Sequence, residues 1–531
     1  MNAISLFSGC GGDTLGMMRC GLRVCAFTEI DPVVRETHLQ NFPESRLIGC
    51  GDMTRITDDE FLAFREQTDL VFAGFPCQGF SNAGKKRADD SRNSLFYQFV
   101  RAVRLIRPRV LIGENVKGLL SRDKDGVTYI DLIRKEFGLV GYRIAWRVYD
   151  CERLVPQIRQ RLIIVGVRED VPINPRHLLP DEPKTPVLDL RDILRYSSRG
   201  EAVLEESDSA TLPEEACVVQ TDRDDDDEPR EPPHPYLLLK KNARDCEYAG
   251  RRHANLLSFG KRDSPIHAEI IDRSRPSKTI ICTYENQPRL FVPQKKKDGR
   301  RTIRCLLVDE LKQIQGFPAD FRLTGSRRQQ IHMIGNAAPP PLVSFVVRHI
   351  LDRLSRPPHP LASATAGALF GQVFDVFRQQ MGVTDPVRRS RGNTQAMENQ
   401  YTDVFSAVLD RLGLLYTRAG SQKPVDYVIH HPVHPDRDVS VELKRTSGRI
   451  IMCNDTYPKD DVYYVVLHEK HGARWSLGKD LARPDDPDKL QEYKWNIDSL
   501  HSPEYVKNGN VTTYVRPNYS INISHLYPGL L

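Results

Sequence analysis

From Met1 to about Arg168 the chain alternates short apolar runs with longer amphipathic stretches, and this alternation limits the possible folds more than any other feature. The apolar runs are Val24–Phe27, Leu70–Phe75, Val110–Ile112 and Leu162–Val167. Between two of them, Ser94–Ile106 sets Phe96, Phe99, Val100, Val103 and Leu105 on one helical face. Strand-like runs alternating with helical ones predict βαβ units and a parallel, doubly wound α/β sheet.

The pattern changes after Val171. Prolines become frequent, and the acidic run Asp224–Glu228 precedes Pro229, Pro232, Pro233 and Pro235, as in an inserted, loop-rich segment. Regular patterning resumes at Ser277–Tyr284 and continues through Pro341–Ile350. Ser355–Pro360 then reads as a linker. A final block begins near Asn393. There Met397, Tyr401, Val404, Phe405, Val408 and Leu412 recur at helical spacing, ahead of strand-like runs Val425–Ile429, Val439–Leu443 and Val462–Leu467. This block reads as a separate α/β domain. A length of 531 residues, at roughly 100–200 residues per domain, fits such a division.

Composition narrows the class. The net charge of +6, from 76 basic and 70 acidic residues, permits nucleic-acid binding without requiring it. The 11 cysteines form no CxxC pair, so a reducing, intracellular setting is expected rather than a disulfide framework. No stretch reaches the ~20 apolar residues of a membrane span, and MNAISLFSGCGG lacks the form of a secretory signal.

Three turns carry features of a nucleotide site. Phe7-Ser8-Gly9-Cys10-Gly11-Gly12 can bend sharply and let a ligand approach its backbone. Glu29 follows Gly9 by about the 20 residues that place an acid at the end of a second strand, where it could accept ribose hydroxyls. Gly51-Asp52-Met53 could end a third strand, with Asp52 accepting from an adenine amino group. A Gly-rich turn with an acid is by itself equally an ordinary strand-to-helix turn.

A second group lies on the later runs. Cys77, in Gly74-Phe75-Pro76-Cys77-Gln78-Gly79-Phe80-Ser81, follows the run Leu70–Phe72 on a loop. A free cysteine is most often a small buried hydrophobe. Its company suggests otherwise. Glu114-Asn115-Val116 closes the run Val110–Ile112, and Gln157-Ile158-Arg159-Gln160-Arg161 leads into Leu162–Val167.

With these elements in order, the sequence resembles the cytosine-C5 DNA methyltransferase family. The matching motifs are FSGCGG, EID, GDM, GFPCQGFS, ENV, QIRQR, QGFP (Gln315–Pro318) and GNAAPP (Gly335–Pro340). The resemblance covers roughly Met1–Arg168 and Ser277–Ile350. It implies a Rossmann-like, S-adenosylmethionine-dependent methyltransferase acting on double-stranded DNA. Cys77 would attack carbon 6 of a flipped-out cytosine as a thiolate, which makes carbon 5 nucleophilic. Glu114 would hold or donate a proton at ring N3, a task that calls for a carboxyl raised by burial. Arg159 and Arg161 would position the base carbonyl and the carboxylate, and Asn115 would hold the loop. Phe7, Gly9, Gly11, Glu29, Asp52, Pro76 and Asn336 would contact the cofactor, and Gln78 and Ser81 the DNA. Two departures stand out. Ser5 replaces the usual Asp before Leu-Phe, and Ala337-Ala338 follows the last motif's Asn. Either could weaken cofactor affinity.

The expected domains are residues 1–170 for the catalytic core, 171–272 for target recognition, 273–354 completing the core, 355–392 as linker, and 393–531. Lys240-Lys241 and Arg251-Arg252 suit phosphate contacts in the recognition segment. The last block resembles the PD-(D/E)xK nuclease superfamily. Asp426 precedes one apolar run, and Glu442 and Lys444 share a face of the next. Asp426 and Glu442 would hold Mg²⁺, with Lys444 beside the attacking water. Glu398 is a further candidate acid, and Asn454, Asp455 and Lys459 could line the same place. A strand of alternating charge is the plain alternative. The expectation is therefore a restriction-modification enzyme in a prokaryotic or viral cytoplasm. A methyltransferase with a non-cutting C-terminal module and an RNA cytosine methyltransferase remain alternatives.

Overall fold

A computed structural model describes residues 1–76, 93–121, 123–124, 127–203, 217–221, 231–233, 243–248, 251–258, 269–286, 288–383, 394–418, 425–446, 450–454, 458–468, 471–481, 518–522 and 526. These divide into two compact units. One comprises Met1–Val171 and Leu178–Arg356; the other comprises Pro172–His177 and Pro357–Leu531.

In the first unit, the described strands β1 (Asn2–Leu6), β2 (Arg23–Phe27), β3 (Arg46–Leu47), β4 (Leu70–Ala73), β5 (Val110–Val116), β6 (Tyr142–Asp150) and β7 (Gln160–Arg168) form one sheet. Their order is β3-β2-β1-β4-β5-β7-β6. Strands β1 to β5 pair in parallel. The nearly continuous burial of β1, β4 and β5 matches a sheet covered on both faces by helices. Helices α1 (Gly12–Met18), α2 (Pro32–Asn41), α3 (Asn93–Ile106) and α4 (Tyr129–Leu139) follow β1, β2, β4 and β5. The core joins Ile4, Leu6, Val71, Phe96, Phe99, Phe137 and Ile164. Later in the chain come α5 (Arg327–Asn336) and α6 (Pro340–Ser355). Gly16 of α1 meets α6 so closely that a Cβ there would lie 2.5 Å from Val343.

The all-parallel expectation needs correction: β7 runs antiparallel to β5, and β6 antiparallel to β7. An apolar run states that a strand is buried, not which way it points. The reversal matters. It brings the start of β7 to the edge where β1, β4 and β5 end, with Arg161 opposite Val116 and Ile163 opposite Glu114.

A second sheet joins Ala202–Val203, Arg301–Cys305, Leu290–Lys295, Glu269–Ile270, Ala243–Tyr248 and Arg251–Ser258 in that order. It crosses the expected boundary at residue 272, because Leu290–Lys295 and Arg301–Cys305 pair with each other and with strands from the preceding segment. Arg304 is buried within it and makes two bonds to Glu310, at 2.7 and 2.8 Å. This bidentate pairing offsets the cost of removing both charges from water.

In the second unit, α7 (Ala366–Val383) and α8 (Thr394–Arg411) precede a sheet of β8 (Tyr416–Arg418), β9 (Tyr427–Ile429), β10 (Val439–Thr446), β11 (Val462–His468) and β12 (Gly472–Leu477), paired in chain order. Helix α7 corrects the reading of 355–392 as linker. Leu369, Phe370, Val373, Phe374 and Phe377 are buried with Phe405 and Tyr427 in one core. Pro172–His177 also belongs to this unit. Asn174 is buried, with its amide donating to the His431 carbonyl, and Arg176 pairs with Asp438. Among the described residues no helix is long and apolar enough to cross a membrane.

Candidate active site

The glycine-rich turn after β1 is built for close backbone approach. Phe7, Gly9 and Gly11 all take positive φ (55°, 55° and 93°). Glycine adopts this conformation without steric cost, and Phe7 holds it with its N–H bound to Thr28 Oγ1 at 2.9 Å. Space is open where a Gly9 side chain would be, so a ligand can lie against that backbone. Gly11 and Gly12 face the interior instead. A Cβ on Gly11 would strike Phe42 and His38, and one on Gly12 would lie 2.3 Å from the Ala338 carbonyl. His38 stacks on Phe27 with ring centroids 3.7 Å apart, and burial pushes its imidazole down to about 3. It is therefore a neutral packing element under the turn.

Glu29 ends β2 with its carboxylate fixed at both oxygens. Oε2 accepts from the Gly9 N–H at 3.0 Å and Oε1 from the Asp31 N–H at 2.9 Å, while burial raises its pKa. Asp52 accepts from Thr54 N and Oγ1 through one oxygen. Gly51, at φ 80°, lets its loop press against the Glu29 carbonyl, which a Cβ would approach to 2.2 Å. The structure thus brings Phe7, Gly9, Gly11, Glu29 and Asp52 into one group of loops. Asn336 ends α5 and is exposed, with its amide near His332. The two alanines after it are buried, and Ala338 packs against Gly12.

Sequence reasoning missed Asp13. Ser5 donates its hydroxyl to Asp13 Oδ2, so a carboxylate returns beside the position where Ser5 replaces the family's Asp. Asp13 is buried, its Oδ1 has no hydrogen-bond partner among the described residues, and burial pushes its carboxyl up to about 7. Two residues eight positions apart give no pattern that would have flagged the pair.

Glu114 is buried at the end of β5, where Arg161 Nε lies 2.8 Å from its Oε1. Its Oε2 lies on the Gly74 side, 3.9 Å from where a Cβ on that glycine would sit. Asn115 donates from Nδ2 to the Phe75 carbonyl at 3.1 Å, which fixes the chain just before Pro76. Cys77, Gln78 and Ser81 lie outside the described residues. Arg159 is 1% exposed, and its guanidinium donates to the carbonyls of Ile280, Gly335 and Ala337. Burial, with Arg161 nearby, lowers it to about 9. It ties the QIRQR segment to the GNAAPP loop, as Gln157 does through Gln315 at 2.9 Å.

In the second unit Asp426 stands just before β9, and its Oδ2 accepts from Leu443 N at 2.7 Å. Glu442 and Lys444 project from one face of β10, 2.5 Å apart. Burial raises the pKa of Glu442, which also feels Lys444, Asp426 and Lys459. Among the described residues no group of three or more His, Cys, Asp or Glu converges on a metal-sized space. Asp455 and the Glu398 side chain are outside them.

The family model for C-5 cytosine-specific DNA methylase matches residues 1–352. Type II methyltransferase M.Eco47II of Escherichia coli is 31% identical over 369 residues, covering 66% of this chain and 80% of its own length. Type II methyltransferase M1.HphI of Haemophilus parahaemolyticus is 29% identical over 354 residues, covering 66% of this chain and 86% of its own. The family match ends before Pro357, where the larger part of the second unit begins.

Asp13 generates a pH signature. Folded, it keeps its proton up to about 7; unfolded, it releases it near the ordinary value of about 3.9. Between these values the folded state holds the extra proton, so this group's contribution to stability falls as pH rises and levels off above about 7. Denaturant unfolding of wild type and Asp13→Asn across pH 4–8 should show wild type losing ground by up to about 1.4 kcal/mol per pH unit, chiefly below 7. A pH-independent difference between the two would contradict the assignment.

Proposed function

The chain belongs to the C-5 cytosine-specific DNA methylase family, and on that premise we propose that it methylates carbon 5 of cytosine in a specific duplex DNA sequence. The observation that supports this reading is the arrangement at the carboxyl edge of the sheet. Glu114, paired with Arg161, stands beside the loop that Asn115 steadies two residues before Cys77.

The loops around Gly9, Glu29 and Asp52 fit S-adenosylmethionine. They offer open space against a left-handed glycine backbone and a carboxylate fixed at the end of β2. When bound, S-adenosylmethionine supplies an electrophilic methyl group to carbon 5. Glu29 would hold its ribose hydroxyls, and Asp52 would meet its adenine side. Cys77, as thiolate, bonds to carbon 6 of the flipped cytosine and pushes electron density onto carbon 5. Glu114 holds a proton at N3 while this bond forms, and Arg161 fixes the carboxylate that does so. After transfer a base takes the proton from carbon 5, and the electrons of that C–H bond expel the Cys77 sulfur. Arg159 and Gln157 act by keeping the pocket wall in register.

For the second unit we infer a PD-(D/E)xK nuclease. Asp426 stands just before β9 and Glu442 lies in the adjoining β10, where Lys444 shares its face. Two carboxylates suit Mg²⁺ when water and phosphate oxygens complete its shell. Bound Mg²⁺ would lower the charge barrier to hydrolysis of a phosphodiester. Lys444 would orient the attacking water. A nuclease joined to a methyltransferase of this kind would cut DNA that lacks the methyl mark.

Two outcomes follow. Replacing Cys77 with Ser should lower methyl transfer to duplex DNA by at least a thousandfold, and wild type should form a gel-stable covalent complex with a duplex containing 5-fluorocytosine, whose fluorine cannot leave as a proton does. Unchanged transfer by Cys77→Ser, or labelling of tRNA in place of DNA, would contradict the reading. Wild type should also break unmethylated DNA only with Mg²⁺, and Glu442→Gln should lose that cleavage while keeping methyl transfer. A wild type that binds DNA through this unit without cutting would favour a non-cutting module.

A further inference from the structure

The loops expected to hold the adenosine of the cofactor meet along a narrow seam. On one side runs Glu29-Ile30-Asp31, after β2. On the other runs Cys50-Gly51-Asp52, after β3. Along the seam, backbone touches backbone: Gly51, at φ 80°, sits where any Cβ would approach the Glu29 carbonyl to 2.2 Å. Such contact sets the spacing of the two loops only if something holds them together.

Arg35 is placed to do so. It lies in the first turn of α2, whose start is fixed by Asp31 accepting from Val33 N and Val34 N at 2.8 and 3.3 Å. From there one guanidinium nitrogen, Nη2, donates to the Ile30 carbonyl at 3.2 Å, and the other, Nη1, donates to the Cys50 carbonyl at 3.4 Å. Its Nε is buried without a hydrogen-bond partner among the described residues. No acidic side chain among the described residues pairs with Arg35, so its charge serves the two carbonyls. Each carbonyl belongs to the neighbour of a seam residue, Ile30 beside Glu29 and Cys50 beside Gly51. A planar guanidinium presents its donors in a rigid fork that fixes the separation of two acceptors; an ammonium, a point charge with three rotatable donors, fixes it less.

We propose that Arg35 is a positioning residue for the cofactor, which bridges the Glu29 and Asp52 loops and sets the distance between their carboxylates. It acts through the Ile30 and Cys50 carbonyls that it joins. This inference rests on the methyltransferase reading of the site. The bridge costs little to keep, because the loops are already formed by their own turns: Gly51 N bonds to Ile48 O, and Asp52 holds Thr54. Loss of Arg35 should therefore loosen the spacing without unfolding the unit.

The test measures binding of S-adenosylhomocysteine by calorimetry for the full-length wild type, Arg35→Ala and Arg35→Lys, with methyl-transfer kinetics alongside. Arg35→Ala should weaken binding roughly five- to thirtyfold. It should raise KM for S-adenosylmethionine by a similar factor, while kcat at saturating cofactor, KM for DNA and the melting temperature of the ligand-free protein stay at wild-type values. Arg35→Lys should recover only part of the loss. Binding by Arg35→Ala equal to wild type would overturn the proposal. So would a parallel fall in kcat, DNA affinity and melting temperature, which would make Arg35 a general structural residue. A wild type that binds no S-adenosylhomocysteine would instead overturn the methyltransferase reading itself, and this inference with it.

Discussion

The contact between Arg161 and Glu114, 2.8 Å across two antiparallel strands, is the interaction on which the candidate site depends. Both side chains are nearly shielded from water, at 13% and 11% exposure. A pair so placed does little for net stability, because desolvation takes back most of the Coulomb attraction. Removing one partner is another matter, since it strands a charge in a poorly solvated place. The pair exists only because β7 runs against β5. Had β7 been parallel, its leading arginines would stand at the far edge of the sheet. Direction of one strand, more than identity of any one residue, assembles this group.

The same edge is closed from the other end of the unit. The Gly12 backbone packs on the Ala338 carbonyl, and Arg159 donates to the carbonyls of Gly335 and Ala337. Residues more than 300 positions apart therefore shape one wall. Fully buried, Arg159 finds its partners in backbone carbonyls and the Gln157 side chain, which offsets part of the penalty that burial puts on a cation. Small residues are needed at this junction: a larger side chain at Gly12 would push on backbone, which has no alternative rotamer to adopt. The alanines that depart from the family pattern are buried in the same place and leave room for this contact.

Much of the architecture was legible in the chain. The runs at Val24, Leu70, Val110 and Leu162 lie in β2, β4, β5 and β7, because strands buried on both faces are continuously apolar. Strand direction was not legible, since hydrophobicity carries no arrow. Helix α7 was missed because alanine and glycine open it, and its large apolar positions begin only at Leu369. The motif residues of the site could be named from spacing and family resemblance. The roles of Asp13, Arg35 and Arg159 could not. Each depends on where a carbonyl or a hydroxyl from a distant turn comes to rest, and no local pattern encodes that. Cys77, Gln78 and Ser81 lie outside the described residues, so their case rests on the sequence and on the chain that leads to them.

The central claim is that Glu114 and Arg161 act as one unit on the target base. A double-mutant cycle on single-turnover methyl transfer tests it, with Glu114→Gln, Arg161→Ala and the double variant compared on one duplex substrate. Groups that act together give non-additive losses, so the double variant should be no slower than the slower single variant within about threefold. Losses that multiply would mean that the two residues contribute separately, and would contradict the account.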